Sequence, residues 1–292
     1  MKTRARLFVS ARAGGTARRS GFTLLELLVV VAITGLLAAL LLPALGRAKA
    51  KGHTIACLSS QRQLSLACLL YIDDHDDLFP YNLGDDETRK TVADRRFLNW
   101  VNNVMTWELD SDNTNTALLA KGGLGPYVEG APTLYHCPSD FAVSDLQAKA
   151  GWSHRVRSVS MNAMVGDAGE YTADGMNVNN PHYQQFFRAA QVPEPARIFV
   201  FIEEHPDSIN DAYFLNKAYS GEWIDLPASY HNGGANLTFA DGHAETHKWL
   251  LGSTKPPNRP DAAHLPLAIP SDQRADFYWL MERTSLKGSV WR

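Results

Sequence analysis

The sequence predicts an α+β protein in which one long N-terminal helix precedes a domain built around an antiparallel β-sheet. Residues 22–45 form an almost uncharged apolar run, and a helical spacing of apolar side chains continues to about residue 72. Strand and hairpin patterns then appear between residues 197 and 249. Strands that follow a helix instead of alternating with further helices are typical of the α+β class.

Composition favours a globular domain and gives no indication of nucleic-acid binding. The 292 residues carry a formal net charge of -3 and are 45% apolar and 20% charged. Such a chain is too apolar for disorder and lacks the basic field that draws proteins onto nucleic acid, so no nucleic-acid partner is predicted. We predict four parts: a leader (1–21), an apolar helical half (22–45), an amphipathic half (46–79) and a globular domain (80–292).

The first 45 residues predict a membrane anchor. Residues 1–21 contain basic but no acidic side chains, and in residues 22–45 Glu26 is the only charge. As a helix, that run spans roughly 36 Å, enough to cross a hydrocarbon core of about 30 Å. The basic leader favours a cytoplasmic N-terminus and an extracytoplasmic domain, although three basic residues beyond the run weaken this bias: Arg47, Lys49 and Lys51.

A signal peptide, a signal anchor and a buried core helix are the alternatives for this segment. The run exceeds the roughly 7–15 apolar residues of a signal peptide and has no small-x-small cleavage site after it. A core helix seldom needs a basic leader or such a long apolar run. Hydropathy alone leaves a signal anchor open, but Glu26 indicates a partner, because a carboxylate at mid-membrane costs roughly 2.5–3.5 kcal/mol.

Residues 21–26, with the sequence GFTLLE, resemble the prepilin processing motif of type IV pilins and type II secretion pseudopilins. The resemblance implies that a membrane-embedded prepilin peptidase cuts between Gly21 and Phe22 and methylates the new Phe22 amine. It also implies that Glu26 pairs with the N-terminal ammonium of a neighbouring subunit during assembly. Pro43, near the end of the apolar run, is common in pilin anchors, where it loosens the helix.

Beyond the apolar run the helical pattern becomes amphipathic. One helix is expected from Phe22 to about Ile72, with its second half packed on the globular domain and its end near the acidic residues 73–77. Those acidic residues lack the glycine and downstream glutamate of an EF-hand loop, so a solvated helix end explains them better. Residues 80–139 are rich in Gly, Asn, Asp and Pro and predict loops and short helices.

The globular domain contains one strong strand pattern and one hairpin pattern. Residues 197–203, with the sequence RIFVFIE, predict a strand, and residues 236–249 predict a hairpin with a two-residue type I′ turn at Asp241-Gly242. In that register Phe239 opposes Ala244, one face of the hairpin is apolar and the other is polar. We expect the sheet to pack one face on the helix, as a pilin fold requires.

His231, nine intervening residues and Asp241-Gly242 match the motif of the domain named H-X9-DG. Such domains accompany prepilin-type N-termini in a large family of pseudopilin-like proteins. Other stretches that resemble the family are residues 57–58 with 71–74, residues 135–140, and residues 203–205 with 207–211. The resemblance implies the family and no particular reaction, so the role of the motif is open.

Carboxylates and imidazoles gather near the predicted strand ends, where they could bind a divalent cation. They are Glu203, Glu204, His205, Asp207, Asp211, His231, Asp241 and His243. The alternative is that the acidic residues stabilise turns and the histidines bond to backbone groups, and we assign no metal ligand. Residues 243–247 are no zincin motif, because in a strand residues four apart lie about 13 Å from each other.

The three cysteines would lie in an oxidising compartment if the domain is extracytoplasmic. Cys57 and Cys68 are 11 residues apart on one predicted helix, hence roughly 16 Å apart, beyond the limit of about 7 Å between the Cα atoms of a disulfide. Any disulfide within the chain must therefore include Cys137. We favour Cys57 with Cys137, and two free thiols are the alternative.

The leading functional hypothesis is a pseudopilin-like structural subunit of a type IV pilus or a type II secretion-like assembly. Its predicted partners are the cytoplasmic membrane, prepilin peptidase and other pilin-like subunits. Its predicted location is the inner membrane, which the chain crosses once, with the globular domain on the periplasmic or extracytoplasmic side. A location in a filament or on the cell surface is also compatible with this prediction.

A membrane-tethered ligand- or carbohydrate-binding module is the alternative. Several aromatic side chains allow it, although core packing also explains them: Trp100, Trp107, Trp152, Trp223 and Trp249. A tethered hydrolase is least favoured, because the sequence has no G-x-S-x-G, no phosphate-binding glycine loop and no C-x-x-C pair. We therefore predict no enzymatic activity and no cofactor.

Overall fold

The computed structural model describes residues 23–287, and its longest element is the 51-residue helix α1 (Leu24–Asp74). The predicted helix is confirmed over these residues, and Pro43 lies within it. The helix ends where Asp76 and Asp77 adopt left-handed φ angles of 52° and 68°, which an α-helix cannot continue. The predicted leader, Gly21 and Phe22 lie outside the described residues.

The chain divides into two units, Met1–Arg47 and Ala48–Arg292. In the described part of the first unit, the apolar side chains from Leu24 to Leu45 are exposed. Among residues 23–287, α1 is the one helix that is long and apolar enough to cross a membrane. A helix so apolar on all sides, with nothing covering it, is typical of a membrane span.

Within its described residues, 48–287, the second unit contains four shorter α-helices and nine strands. The helices are α2 (Asp85–Ala93), α3 (Thr116–Ala120), α4 (Asp145–Lys149) and α5 (Ala275–Thr284). The strands are β1 (Val159–Asn162), β2 (Thr172–Ala173), β3 (Met176–Asn177), β4 (Phe199–Glu203), β5 (Tyr213–Phe214), β6 (Glu222–Trp223), β7 (Gly234–Phe239), β8 (Ala244–Lys248) and β9 (Leu267–Ala268). Residues 80–139 contain short helices and loops, as predicted.

The main sheet has five strands in the order β5-β1-β4-β7-β8. Every neighbouring pair is antiparallel except β5 and β1, which are parallel. The strand predicted over residues 197–203 is confirmed as β4, and all five of its residues are buried. Its run of four apolar residues before Glu203 is typical of a central strand that is covered on both faces. The fold is therefore α+β and pilin-like.

The predicted hairpin is confirmed, but its turn and register are not as predicted. Thr238 opposes Ala244, one residue out of step with the expected pairing of Phe239. Of the two predicted turn residues, only Gly242 has a positive φ, at 91°, whereas a type I′ turn needs positive φ at both. The Gly242 N–H donates to the Phe239 carbonyl (2.9 Å), which closes a three-residue loop with glycine in the left-handed position.

The expectation of one apolar and one polar face on the hairpin is wrong as well. All six residues of β7 are buried, including the polar Asn236 and Thr238. One hydrophobic cluster contains Leu64 of α1, and a second joins Leu237 to Phe277 of α5. The sheet is thus covered on both sides, so polar residues of β7 are buried as well as apolar ones.

Candidate functional site

Four side chains from distant parts of the sequence meet in a buried group, here called the Cys-Cys-Glu-His cluster: Cys57, Cys137, Glu203 and His231. One ligand-type atom from each lies within 4.8 Å of the other three. The residues are 1%, 0%, 0% and 4% exposed, respectively. Two thiols, a carboxylate and an imidazole shielded from water form the most concentrated set of reactive groups among residues 23–287.

The second half of α1 supplies Cys57. Thr54 and Gln61 lie one turn before and one turn after it, on the same face of the helix, because residues three and four apart are neighbours there. Gln61 donates from Nε2 to the Asn236 carbonyl of β7 (3.3 Å). This contact places the same helix face against the strand that follows His231.

A tight turn after a short 3-10 helix supplies Cys137. The Asp140 N–H donates to the Cys137 carbonyl (2.9 Å), and the Cys137 N–H donates to Ser158 Oγ (3.2 Å). The Ser139 N–H points at the Cys137 sulfur, with N and Sγ 3.4 Å apart. The turn therefore fixes Cys137 and also gives its sulfur a backbone donor.

Glu203 is the last residue of β4, and His231 belongs to a turn just before β7. The Asn236 N–H donates to Glu203 Oε2 (2.6 Å), which leaves Oε1 directed into the cluster. Asn232 and Gly233 have φ angles of 58° and 81°, and the His231 N–H donates to the Gly234 carbonyl (3.1 Å). Asn and Gly adopt these angles most readily, so the sequence after His231 forms the turn that positions it.

Glu203 Oε1 is the central contact of the cluster. It lies 2.6 Å from Cys57 Sγ and 2.9 Å from His231 Nε2. His231 Nε2 also lies 3.7 Å from Cys137 Sγ. The carboxylate oxygen and the imidazole nitrogen therefore face both sulfurs.

Thr54 fixes the orientation of the His231 ring. Its single hydroxyl proton is donated to the Ala50 carbonyl (3.0 Å), so its oxygen accepts from His231 Nδ1–H at 3.1 Å. Nε2 is left to face Glu203 and the cysteines. A histidine held through Nδ1 in this way is oriented to act at Nε2.

Electrostatics favour the protonated forms of His231 and Cys57 when no cation is bound. Burial lowers the pKa of His231, but its hydrogen bonds with Cys137 and Glu203 outweigh burial and raise that pKa to about 10. The hydrogen bond with Cys137, burial and the charge of Glu203 raise the pKa of Cys57 well above the usual range of a thiol. Buried thiols next to a carboxylate resist deprotonation unless a cation compensates the added negative charge.

The first residue of the H-X9-DG motif, His231, lies before β7, and its last residue, Gly242, lies after β7. Both residues lie next to α1. His231 contacts Thr54, and a Cβ on Gly242 would lie 2.9 Å from Leu69 Cδ1. Residues 54 and 69 are about 22 Å apart along a helix, and six strand residues span about 20 Å. The spacing of nine residues therefore matches one strand that lies along the second half of α1.

Only two of the polar residues predicted to gather at the strand ends, Glu203 and His231, belong to the cluster. Asp241 lies in the hairpin loop, where Oδ1 accepts from His243 Nδ1 (2.6 Å), as the turn alternative predicted. Asp207 accepts from the Arg259 N–H (2.8 Å) and lies 3.8 Å from His205 Nδ1.

Glu204 and Asp211 belong to a separate buried polar region around Arg157. The Arg157 side chain donates to the Val159 carbonyl and to Ser160 Oγ (2.7 and 2.9 Å). Burial raises the pKa of Glu204 to about 8 and that of Asp211 to about 6. Successive strand side chains point to opposite faces, which separates Glu204 from its neighbour Glu203.

The cysteines were not predicted to belong to this site. Cys57, Cys68 and Cys137 are all free and buried, so the structure corresponds to the free-thiol alternative. Two of the three nevertheless converge on His231. Residues 57–58 and 135–140, two of the stretches that share the H-X9-DG resemblance with His231, contain these cysteines, and that is the signal that could have linked them to His231.

The aromatic residues give the binding-module alternative little support. Trp100, Trp223 and Trp249 are 0%, 0% and 3% exposed and belong to the core. The Arg155 guanidinium lies over the Trp107 ring at 3.8 Å, and Trp152 lines a cavity of about 240 Å³. Three of these five tryptophans thus fill the interior and are not available to bind a sugar.

In the first unit, Glu26 forms a capping box at the start of α1. Its Oε2 accepts from the Thr23 backbone N–H (2.8 Å) and from the Thr23 hydroxyl (2.7 Å). In return, the Glu26 N–H donates to Thr23 Oγ1 (3.2 Å). These reciprocal bonds satisfy N–H groups that a helix N-terminus otherwise leaves unpaired.

Comparison with known proteins identifies the N-terminal segment. Residues 16–42 match the family model described as the prokaryotic N-terminal methylation motif. The chain has a prepilin-type N-terminus. Neither the curated proteins nor the solved structures gave a match. The motif and the apolar half of α1 together indicate a membrane-associated substrate of type IV pilus or related secretion systems, processed by prepilin peptidase.

Proposed function

We propose that this chain is a pseudopilin-like structural subunit of a type IV pilus or a type II secretion-like assembly. The observation that carries the proposal is the methylation motif over residues 16–42, which includes the first part of the exposed apolar half of α1. A methylated, membrane-embedded helix that also packs on a globular domain suits a subunit that is stored in the membrane and then polymerised. No catalytic step is part of the proposal.

In this function the peptidase cuts between Gly21 and Phe22 and methylates Phe22. Glu26 then pairs with the N-terminal ammonium of a neighbouring subunit, an attraction that a low dielectric strengthens. The capping box supports this role, because Thr23 gives the carboxylate two donors while the subunit is still alone in the membrane. The domain lies on the periplasmic or extracytoplasmic side, and the filament partners are other pilin-like subunits.

The experiment that tests the proposal is mass spectrometry of the N-terminus from membrane fractions. We expect the mature chain to start at N-methylated Phe22 and to keep 271 of the 292 residues, since 292 minus the 21 of the leader is 271. In cells without prepilin peptidase, the chain should keep Met1. A chain that keeps Met1 in cells with the active peptidase would be a plain signal anchor.

A matched pair of leader variants sharpens this test. Gly21→Val places a branched side chain at the cut and should leave most of the protein unprocessed. Gly15→Val makes the same change in the same leader, away from the cut, and should be processed normally. Equal processing of the two variants would contradict the assigned cleavage site.

A further inference from the structure

We infer that Cys57, Cys137, Glu203 and His231 form a structural binding site for a divalent transition-metal ion, with zinc as the best chemical match. The site is independent of the proposed assembly function, because it lies wholly within the second unit. It gives the histidine of the H-X9-DG motif a role that the sequence left open.

The donor types select the class of ion. Two sulfurs and an imidazole nitrogen are soft or borderline ligands, which suit zinc and disfavour calcium and magnesium. Structural zinc sites use four protein ligands drawn from cysteine, histidine and carboxylate, and this cluster provides four. All four residues are at most 4% exposed, so the site is closed, as structural sites are, and holds no open position for a substrate.

The spacing of the donor atoms fits one small ion. Ligand atoms around a tetrahedral zinc lie about 3.3–3.8 Å apart. Cys137 Sγ and His231 Nε2 are 3.7 Å apart, and the four donor atoms all fall within 4.8 Å of one another. Glu203 Oε1 is closer to Cys57 and His231, at 2.6 and 2.9 Å, so this carboxylate must move outward by roughly 1 Å to bind an ion.

Hydrogen bonds with residues outside the cluster orient each type of ligand. Metal-bound histidine normally donates its other ring N–H to a fixed acceptor, and His231 Nδ1 bonds to Thr54. The Ser139 N–H faces the Cys137 sulfur, where it would stabilise a thiolate. The Asn236 N–H holds Glu203 by its other oxygen. Three independent contacts therefore orient three of the four donors.

A bound divalent ion would offset the negative charge of the thiolates and the carboxylate in this buried group. Without a cation, two thiolates next to a carboxylate would leave three negative charges in the protein interior, which is strongly unfavourable. A divalent ion reduces that excess to one and removes the need for protons on the sulfurs. Its binding free energy would add to folding, because the unfolded chain does not hold these four segments together. The ion would thereby fasten α1 to the domain.

A disulfide between Cys57 and Cys137 is the competing state. It would consume both sulfurs and exclude the ion, and an oxidising compartment would favour it. It leaves the convergence of Glu203 and His231 on the same two sulfurs without a function. The oriented imidazole and the N–H group at the Cys137 sulfur are arrangements that a metal ion uses and a disulfide does not.

The test uses the full chain, purified in detergent without added metal or chelator. We expect about one zinc per chain by elemental analysis in the wild type. Cys68→Ser removes a buried thiol of α1 outside the cluster and should keep the zinc. Cys57→Ser and Cys137→Ser should lose most of it, and Thr54→Val, which leaves all four ligands in place, should lower zinc affinity by about 10–100-fold.

A second measurement on the wild type does not depend on the folding of the variants. Removal of zinc by a chelator should lower the melting temperature, and zinc but not magnesium should restore it. Cobalt added to the zinc-free protein should produce thiolate-to-metal charge-transfer absorption. A wild-type chain that contains a mapped Cys57–Cys137 disulfide, or that under reducing conditions neither holds zinc nor gains stability from it, would overturn the inference.

Discussion

The two halves of α1 differ in which side chains are buried: the apolar side chains of the first half are exposed, whereas the second half buries polar side chains as well as apolar ones. In the first half every described residue is exposed, and Leu36 is 66% exposed. The second half is less apolar, yet it buries the polar Gln61 and Ser65 together with Leu64. Sequence polarity therefore does not by itself determine which residues of a helix are covered.

The difference shows that the two halves are adapted to different surroundings. Apolar side chains of the first half need a hydrocarbon phase, which only the membrane supplies. Polar side chains of the second half are buried because the domain supplies hydrogen-bond partners, as it does for Gln61 through Asn236. The same substitution should therefore have different effects in the two halves of α1.

The largest expected effect is on assembly, in the first half. Glu26→Ala should insert and be processed but fail to join filaments when it is co-expressed with wild type. The reason is loss of the attraction to a neighbouring N-terminus, which low dielectric strengthens. The measurement is the fraction of each chain in sheared filaments.

Thr23→Val is the control for that prediction. It removes the hydroxyl that donates to Glu26 (2.7 Å) but keeps the carboxylate, so assembly should continue. If Thr23→Val fails as badly as Glu26→Ala, the glutamate acts only as a helix cap. An unprocessed Glu26→Ala chain would instead show that the peptidase recognises this residue.

A pair of leucine truncations compares the halves directly. Leu64→Ala removes a side chain that is 0% exposed and should destabilise the domain by about 2–5 kcal/mol. Leu36→Ala, at 66% exposure, should leave domain melting unchanged in detergent, as followed by tryptophan fluorescence. Equal losses in the two variants would mean that the first half also contributes to the domain core.

The carboxyl of the partly buried Asp211 predicts a pH-dependent loss of stability. Burial raises its pKa from 3.8 to about 6, although the hydrogen bond from the Tyr213 N–H and the charge of Arg157 both lower it. The folded state therefore keeps a proton that the unfolded state releases, so this stability is complete below about pH 4 and is lost as pH rises toward 6. Asp211→Asn, whose amide oxygen can still accept from Tyr213, should lack this loss.

In urea titrations, the stability gain of Asp211→Asn over wild type should grow from near zero at pH 4 to about 2–3 kcal/mol at pH 7. A constant difference across this range would show that Asp211 keeps its ordinary pKa in the folded protein.

The smallest expected effect concerns the hairpin loop against α1. Gly242→Ala introduces strain at a φ of 91° and a Cβ 2.9 Å from Leu69 Cδ1. It should cost about 1–3 kcal/mol. Gly151→Ala has a similar φ of 85° with no atom within 4 Å of the new Cβ, so it should cost less. If thermal melting gives equal costs, the contact with Leu69 is unimportant.

The sequence by itself determined the elements that depend on local pattern. The length of α1, its exposed apolar half, the strand β4 and the existence of the hairpin all follow from periodicity and hydropathy, which act over neighbouring residues. The prepilin-type segment is also local, since a short contiguous stretch carries it.

Only the tertiary structure decided the hairpin register and the Cys-Cys-Glu-His cluster. The register depended on which residue of Asp241-Gly242 adopts positive φ, and only Gly242 does so; it lies beside Leu69 of α1, where a Cβ would be 2.9 Å from Leu69 Cδ1. The cluster joins residues 57, 137, 203 and 231, whose proximity depends on how α1 packs on the sheet. Sequence pattern describes which face a side chain takes on its own element, whereas packing between distant elements determines which faces meet.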